Sequence, residues 1–220
     1  MRDLQILLND EPLTEAFVPT KLLHREGQLR EILSHLKPAL HNKDARNVLA
    51  IGNPGTGKTT LIKWLLKEYF EGKHAYVNCL NYRSEHKIIE SILVQLGSVI
   101  PENKPTDYLI QRFSKKVGKG VIVCLDEIDQ VKNDRVLQTL SLQQCGLVLA
   151  SNHQFFFDSV EDRLRARLFL AEIEFPTYNK SELIGIMKER IDYALAPQSI
   201  ANELIEIVAA WSNGDARIAL

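Results

Sequence analysis

A glycine-rich segment that ends in a lysine and a threonine could bind the phosphates of a nucleotide. Gly52–Thr59 reads GNPGTGKT and matches the pattern G-x-x-x-x-G-K-[ST]. The glycines let backbone N–H groups face a phosphate, and the helix that follows adds positive potential. Lys58 would reach the terminal phosphates, and Thr59 would offer its hydroxyl to Mg²⁺. An exposed lysine beside a glycine-rich turn is the alternative, which the strand–loop–helix context disfavours. The expected nucleotide-binding residues of this loop are Asn53, Pro54, Gly55, Thr56, Gly57, Lys58, Thr59 and Thr60.

Two acidic residues follow an apolar strand and could complete such a site. Asp126 and Glu127 come directly after Val121–Leu125, in which every residue is apolar. An aspartate at the carboxyl end of such a strand can hold the water shell of Mg²⁺. The neighbouring glutamate can polarise a water for in-line attack on the γ-phosphate. Without the glycine-rich loop, a solvated helix start would be the simpler interpretation.

A polar residue after another strand is expected to lie beside Asp126. Asn152 follows the apolar run Gly146–Ala150 and Ser151. Its amide could orient the attacking water or contact the γ-phosphate. An asparagine that closes a strand into a turn is the alternative.

Arginines near these segments could stabilise charge on a transferred phosphate. The run Asp162–Leu168 has arginines at alternate positions, and on a helix Arg163 and Arg167 share a face. A solvated face or a structural ion-pair site is the alternative. Arg217 lies in the first turn of a helix that opens at Gly214, where a cation opposes the helix dipole at a cost of up to about 1 kcal/mol. This local cost suggests that Arg217 meets a ligand such as the γ-phosphate.

The elements around these residues alternate between short β-branched runs and longer stretches with helical periodicity, which predicts a mostly parallel α/β sheet. After Phe175 only helical patterns follow, beginning at Lys180. We therefore expect a nucleotide-binding domain over residues 1–176 and a small helical lid over residues 177–220. Trp64 and Trp211 lie on apolar helix faces and are expected in the core. The predicted strands are Asn47–Ile51, His74–Asn78, Gly120–Leu125, Gly146–Ala150 and Leu170–Phe175, and the predicted helices are Arg25–Leu40, Lys58–Phe70, Glu85–Leu96, Asp107–Val117, Asp134–Leu140, Lys180–Ala194, Gln198–Trp211 and one opening at Gly214.

Composition excludes several classes of protein. The 220 residues carry a formal net charge of −1, so no global basic field would draw the chain onto DNA or an anionic membrane. The three cysteines form no C-x-x-C pair, which favours reduced thiols and a cytoplasmic setting. Residues 1–10 hold too short an apolar run for a signal peptide, and no run is long enough to span a membrane.

Together these motifs make the chain resemble an AAA+ ATPase, and specifically the origin-recognition and cell-division-cycle-six family of replication initiators. Gly52–Thr59, Val121–Glu127 and Asn152 are similar to Walker A, Walker B and sensor 1. The more specific strings are Phe17–Glu26, Val77–Cys79, Leu125–Asp129 and Gly214–Arg217, of which the last is similar to sensor 2.

The resemblance implies further site residues. Val18, Pro19 and Arg25 should border the adenine base, and Glu127, Asn152 and Arg217 should act in catalysis, with Thr59 and Asp126 at Mg²⁺. The family's arginine finger corresponds to Arg167, with Arg163 as the second choice. The helix Glu85–Leu96 is similar to the family's initiator-specific insertion. Family members continue into a winged-helix DNA-binding domain, whereas this chain stops at Leu220, so we expect a fragment of a longer protein.

By the same resemblance, the expected function is binding and slow hydrolysis of ATP, with Mg²⁺, in replication initiation. The implied partners are origin double-stranded DNA, mainly through the missing winged-helix domain, a replicative helicase and other AAA+ initiator subunits, with no membrane. The implied location is cytoplasmic, at the nucleoid in an archaeon or nuclear in a eukaryote. Two alternatives stay open: another AAA+ regulator, such as a transposition ATPase or clamp-loader subunit, and a nucleotide-binding scaffold with little turnover.

Overall fold

A computed structural model of the chain describes residues 6–153 and 156–220. Residues 1–5 of the segment considered for a signal peptide lie outside this part. Five strands, all paired in parallel, form one sheet in the order β2-β3-β4-β1-β5. This confirms the predicted α/β fold with a five-stranded parallel sheet. The strands are β1 (Val48–Ile51), β2 (His74–Asn78), β3 (Ile122–Asp126), β4 (Gly146–Ser151) and β5 (Ala171–Glu174).

Helices cover both faces of the sheet. One face packs against α1 and α2, and the other packs against α3 to α6. The five residues of β3 are all buried, because alternate side chains enter the two apolar layers. The helices are α1 (Glu26–Leu40), α2 (Lys58–Tyr69), α3 (Glu85–Gln95), α4 (Thr106–Lys116), α5 (Arg135–Ser141), α6 (Asp162–Leu168), α7 (Lys180–Ala194), α8 (Asn202–Trp211) and α9 (Ala216–Ala219).

The strand register brings the polar residues to one edge of the sheet. Asn78 of β2 lies opposite Asp126 of β3, and Ile51 of β1 lies opposite Ser151 of β4. Since parallel strands end on the same side, the glycine-rich loop after β1 meets the acidic residues after β3 there.

The three C-terminal helices build an apolar cluster of their own, centred on Leu183, Met187 and Ile205. Helix α7 begins with a capping box, in which Asn179 Oδ1 accepts from the Glu182 backbone N–H and Glu182 Oε2 accepts from the Asn179 backbone N–H. The N-terminal segment, which comprises the described residues 6–25 before α1, contacts the end of α7, because the Leu8 N–H donates to the Ala194 carbonyl at 2.8 Å. The lid and the N-terminal segment therefore lie together.

The structure corrects two details of the sequence prediction. Trp211 is 81% exposed rather than in the core, and Trp64 is only half-buried. The reason is helix geometry: Ala209 of α8 is buried, and a residue two positions later lies about 200° around the helix axis. Helix α8 begins at Asn202, four residues after the predicted Gln198. All three cysteines are free thiols, and no helix in the described part of the chain has the length and apolar character to cross a membrane.

Candidate functional site

The glycine-rich loop joins β1 to α2 and adopts a conformation that needs glycine. Gly55 and Gly57 have φ angles of +75° and +86°, in the left-handed region. A Cβ on Gly55 would lie 1.7 Å from Asp215 Oδ1, and one on Gly57 would lie 2.3 Å from the Tyr178 hydroxyl oxygen. The same two glycines therefore shape the loop and let the lid approach it closely.

Lys58 connects this loop to β4. Its Nζ donates to the carbonyls of Gly52 at 2.7 Å and Asn53 at 3.0 Å, and to Asn152 Oδ1 at 2.8 Å. The side chain is buried, and burial lowers the pKa of the ammonium from its ordinary value despite the carboxylates nearby. The structure thus brings Lys58 and Asn152 together at the floor of the cleft.

Asp126 is held by hydroxyl groups from two different elements. Thr59 Oγ1 donates to Asp126 Oδ2 at 2.7 Å, and the Tyr76 hydroxyl donates to the same oxygen at 2.5 Å. A hydroxyl and a carboxylate are the oxygen donors that Mg²⁺ prefers, so the pair fits the expected metal role. Burial raises the pKa of Tyr76 well above its ordinary value, with Asp126 as the second cause, which keeps the hydroxyl a donor.

Glu127 contacts Asn152, whereas the sequence analysis expected Asn152 beside the neighbouring Asp126. The Asn152 amide donates to Glu127 Oε2, and both residues line the same cavity. Glu127 has a φ angle of +55°, an uncommon conformation for a non-glycine residue that is frequent at functional sites. Asp129 holds Asn152 in position, because Asp129 Oδ1 accepts from the Asn152 backbone N–H at 3.1 Å.

The cleft between the loop, the N-terminal segment and the lid has a volume of about 390 Å³. Of the three residues expected at the base, Pro19 lines it, whereas Val18 and Arg25 do not. The loop residues Pro54 to Thr60 also line it, while Asn53 contributes its carbonyl to Lys58 from outside. The string Phe17–Glu26 that the sequence analysis singled out supplies Phe17, Leu22 and Leu23 to the apolar wall, whereas Ile186 and the buried Arg190 of α7 were missed.

Arg25 lies behind the loop and does not line the cleft. It is 3% exposed, and its guanidinium lies 3.7 Å from the centroid of the Tyr178 ring. Nε donates to the Thr56 carbonyl at 2.9 Å and Nη2 to the Pro176 carbonyl at 2.6 Å. Arg25 therefore fastens the loop to the segment where β5 leads into the lid.

Arg217 lines the cleft from α9, but its charge already has a partner. Its Nη2 donates to Asp215 Oδ2 at 2.8 Å and its Nε to Oδ1 at 3.2 Å. Burial works against ionisation of Asp215, yet the hydrogen bonds from Arg217 outweigh it and lower the pKa of Asp215. The unfavourable interaction of Arg217 with the helix dipole, which was inferred from the sequence, is offset by Asp215. This interaction therefore does not by itself require a ligand.

The arginines of α6 lie outside the cleft. Arg163 and Arg167 are exposed and are not among the residues that line the cavity. Arg165, between them, forms ion pairs with Asp158 at 3.5 Å and with Asp162. Arg165 therefore has a structural role in α6, whereas Arg163 and Arg167 face solvent.

Three polar residues that contact the candidate site residues were not singled out by the sequence analysis: Tyr76, Asp129 and Asp215. Asp129 stands in the string that carries the resemblance, and Asp215 stands two residues before Arg217. Tyr76 carries no local signal, because its role depends on β2 pairing with β3. Only the strand order places its hydroxyl at Asp126.

Comparison with known proteins agrees with this geometry. The family described as AAA domain matches residues 40–157, more than half of the chain. ORC1-type DNA replication protein 1 of Sulfurisphaera tokodaii is 30% identical over 98% of this chain and 60% of its own length. The solved structure of the Aeropyrum pernix ORC1 protein in complex with DNA is 27% identical in sequence, with a TM-score of 0.86 over 97% of this chain and 62% of that one.

A further structure supports the fold alone, because its sequence identity is only 23%. Cdc6p of Pyrobaculum aerophilum superposes with a TM-score of 0.85 over 98% of this chain and 64% of that one. The chain spans about three fifths of the length of the S. tokodaii relative. With the Walker A loop, the acidic pair after β3 and Asn152 gathered at one cleft, the chain belongs to the AAA+ ATPases of the origin-recognition and Cdc6 type.

Proposed function

We propose that this chain is the ATP-binding core of a DNA replication initiator, and that it hydrolyses ATP slowly in the cleft between the sheet and the lid. The observation that carries the proposal is the connected set of contacts from Lys58 through Asn152 to Glu127, beside the Thr59–Asp126 pair. These residues come from three separate segments of the chain, and a structural ion-pair site does not need all of them in contact. Residues 1–176 would form the nucleotide-binding domain and residues 177–220 the lid.

Each residue has a distinct task in this proposal. Lys58 meets the β and γ phosphates with its charge, and the apolar wall around Pro19 and Ile186 receives the base. Thr59 and Asp126 would hold Mg²⁺, which when bound neutralises charge on the phosphates. Glu127 accepts a proton from the attacking water or polarises it, and Asn152 keeps the Glu127 carboxylate in position.

We propose slow turnover because neither candidate arginine finger on α6 lines the cleft. A charge-stabilising arginine contributes about 10³–10⁵ in rate to phosphoryl transfer. Arg163 and Arg167 stand outside the cleft on α6, and Arg217 is paired with Asp215. We propose that Arg167, with Arg163 as the second choice, acts on the nucleotide of a neighbouring initiator subunit, and that a lone chain is therefore slow.

The role in replication rests on the relatives. Their names describe ORC1-type DNA replication proteins, and one similar structure is of an ORC1 protein in complex with DNA. We propose that the whole protein binds origin double-stranded DNA, mainly through a winged-helix domain beyond this chain, and recruits a replicative helicase. Its other partners would be AAA+ initiator subunits.

Glu127→Gln tests the catalytic assignment. The amide keeps the shape of the side chain but cannot accept a proton, so ATP affinity should stay within about threefold while hydrolysis falls by about 10²-fold or more. Calorimetry gives the affinity, and phosphate release gives the rate. Glu203→Gln on the exposed face of α8 is the matched control and should leave both unchanged. Hydrolysis by Glu127→Gln at the wild-type rate would show that Glu127 is not the catalytic carboxylate.

A further inference from the structure

Both oxygens of the Asp126 carboxylate are held by neighbouring donors. Oδ2 accepts from Tyr76 at 2.5 Å and from Thr59 at 2.7 Å, and Oδ1 accepts from the Glu127 backbone N–H at 3.0 Å. A carboxylate with three donors cannot rotate without breaking at least one hydrogen bond. Among these donors, only Tyr76 belongs neither to the glycine-rich loop and its helix nor to the acidic pair.

Tyr76 also affects the orientation of the Thr59 hydroxyl, because both side chains donate to the same oxygen of Asp126. A hydroxyl has one hydrogen and two lone pairs, so a Thr59 hydroxyl that donates to Asp126 keeps its lone pairs for a cation. This orientation lasts only while Asp126 Oδ2 stays where it is. Tyr76 thus stabilises both expected metal residues although it is not itself one of them.

Tyr76 is held in turn by a side chain of α3. The Tyr76 N–H donates to Gln95 Oε1 at 2.9 Å, and Gln95 Nε2 donates to the Tyr76 carbonyl at 2.9 Å. β2 is at the edge of the sheet, where backbone groups lack a neighbouring strand. The Gln95 amide takes the place of that strand for one residue, and it fixes the position from which the Tyr76 hydroxyl reaches Asp126.

We propose that Tyr76 is a positioning residue for the Mg²⁺ site, and that Gln95 holds it there, so that the position of α3 affects Mg²⁺ affinity. This inference rests on the proposed function and adds a specific link between α3 and the metal residues. Residues that orient metal ligands from outside typically affect metal affinity by about 10–100-fold when they are mutated. If the Tyr76 side chain only fills space in the fold, its mutation should change the free energy of unfolding and leave the Mg²⁺ dependence of nucleotide binding unchanged.

Tyr76→Phe removes the hydroxyl and keeps the ring. The readout is the affinity for a fluorescent ATP analogue, measured first in EDTA and then across a Mg²⁺ titration. We expect the affinity in EDTA to stay within about twofold and the Mg²⁺ concentration at half effect to rise about tenfold. Tyr69→Phe, at an exposed tyrosine of α2, is the matched control and should leave both values unchanged.

Gln95→Ala tests whether Gln95 holds Tyr76 in position. It changes only an exposed side chain, so it can test the inference even if Tyr76→Phe folds poorly. We expect a shift of about threefold in the same direction, because the ring keeps its packing while its backbone loosens. In the Tyr76→Phe background the same change should add little, since the two residues act in series. Gln111→Ala, on the exposed face of α4, is the control.

The outcomes separate the inference from the proposed function. Wild-type protein that binds no nucleotide would overturn both. Wild-type binding that depends on Mg²⁺, with an unchanged midpoint in Tyr76→Phe, would overturn the positioning role alone. Independent, additive shifts from Tyr76→Phe and Gln95→Ala would overturn the link through α3. A raised midpoint in both variants, with unchanged affinity in EDTA and no additivity, supports the whole inference.

Discussion

Replacing Arg25 by alanine should weaken the connection between the glycine-rich loop and the lid. Arg25 is buried, donates to the carbonyls of Thr56 and Pro176, and stacks on the Tyr178 ring. Those two carbonyls are 31 and 151 residues away in the chain, so the hydrogen bonds form only in the folded state. Alanine would leave both carbonyls without this donor, and the Thr56 carbonyl is buried.

The magnitude follows from opposing contributions. Each hydrogen bond from a charged donor contributes about 1.5–3 kcal/mol net, and a desolvated cation–π contact adds about 2 kcal/mol. Removing a guanidinium from water costs several kcal/mol, which offsets part of this gain. Burial also lowers the pKa of Arg25, as expected for a cation whose dehydration is only partly compensated. We expect the free energy of unfolding to fall by about 3 kcal/mol, which is the sum of the two hydrogen bonds and the stacking contact less the dehydration cost.

Thermal unfolding measures this loss directly. For a chain of this size, 1 kcal/mol corresponds to about 2–4 °C in Tm, so Arg25→Ala should lower Tm by about 6–12 °C. Arg30→Ala, at an exposed arginine of α1, the helix that begins directly after Arg25, is the matched control and should change Tm by less than about 2 °C. Arg25→Lys should fall between the two, because an ammonium cannot reproduce the planar fork or the stacking. An Arg25→Ala protein with the Tm of the control would refute the fastening role.

Four other outcomes are expected. Lys58→Ala should weaken ATP binding by about 100-fold in calorimetry, because it removes the charge that meets the phosphates; equal affinity would contradict the site. Specific ATPase activity should rise with protein concentration, and mixing Arg167→Ala with Glu127→Gln should restore activity, whereas full activity of a dilute Arg167→Ala protein would exclude a role on a neighbour's nucleotide. Because the pKa of Asp215 is lowered in the folded state, its stabilising effect is present above the unfolded pKa near 3.9 and is lost as pH falls through the folded value. The difference in unfolding free energy between wild type and Asp215→Asn should thus be constant above about pH 5 and narrow below pH 4 in denaturant titrations; a difference unchanged at pH 3 would contradict it. Duplex DNA should bind this chain weakly, with a salt slope of about two to three ions, and sequence-specific nanomolar binding at physiological salt would contradict that expectation.

Local pattern was sufficient for the elements and for the type of chemistry. The alternation of apolar runs predicted all five strands, and GNPGTGKT with Asp126 and Glu127 indicated a nucleotide site. These signals are local because a strand's period and a loop's glycines are set by the residues themselves. Boundaries were less certain, as the start of α8 shows.

Contacts between distant segments were decided only by the tertiary structure. The sequence by itself determined which residues have the chemistry for a phosphate, a metal and an attacking water. It could not determine that Arg25 lies behind the loop or that Tyr76 reaches Asp126. Each of these contacts depends on strand order or on how the lid packs, because the partners are between 31 and 151 residues apart in the chain. The physical reason is that hydrogen-bond geometry acts over about 3 Å, whereas sequence patterns report only which face of an element is apolar.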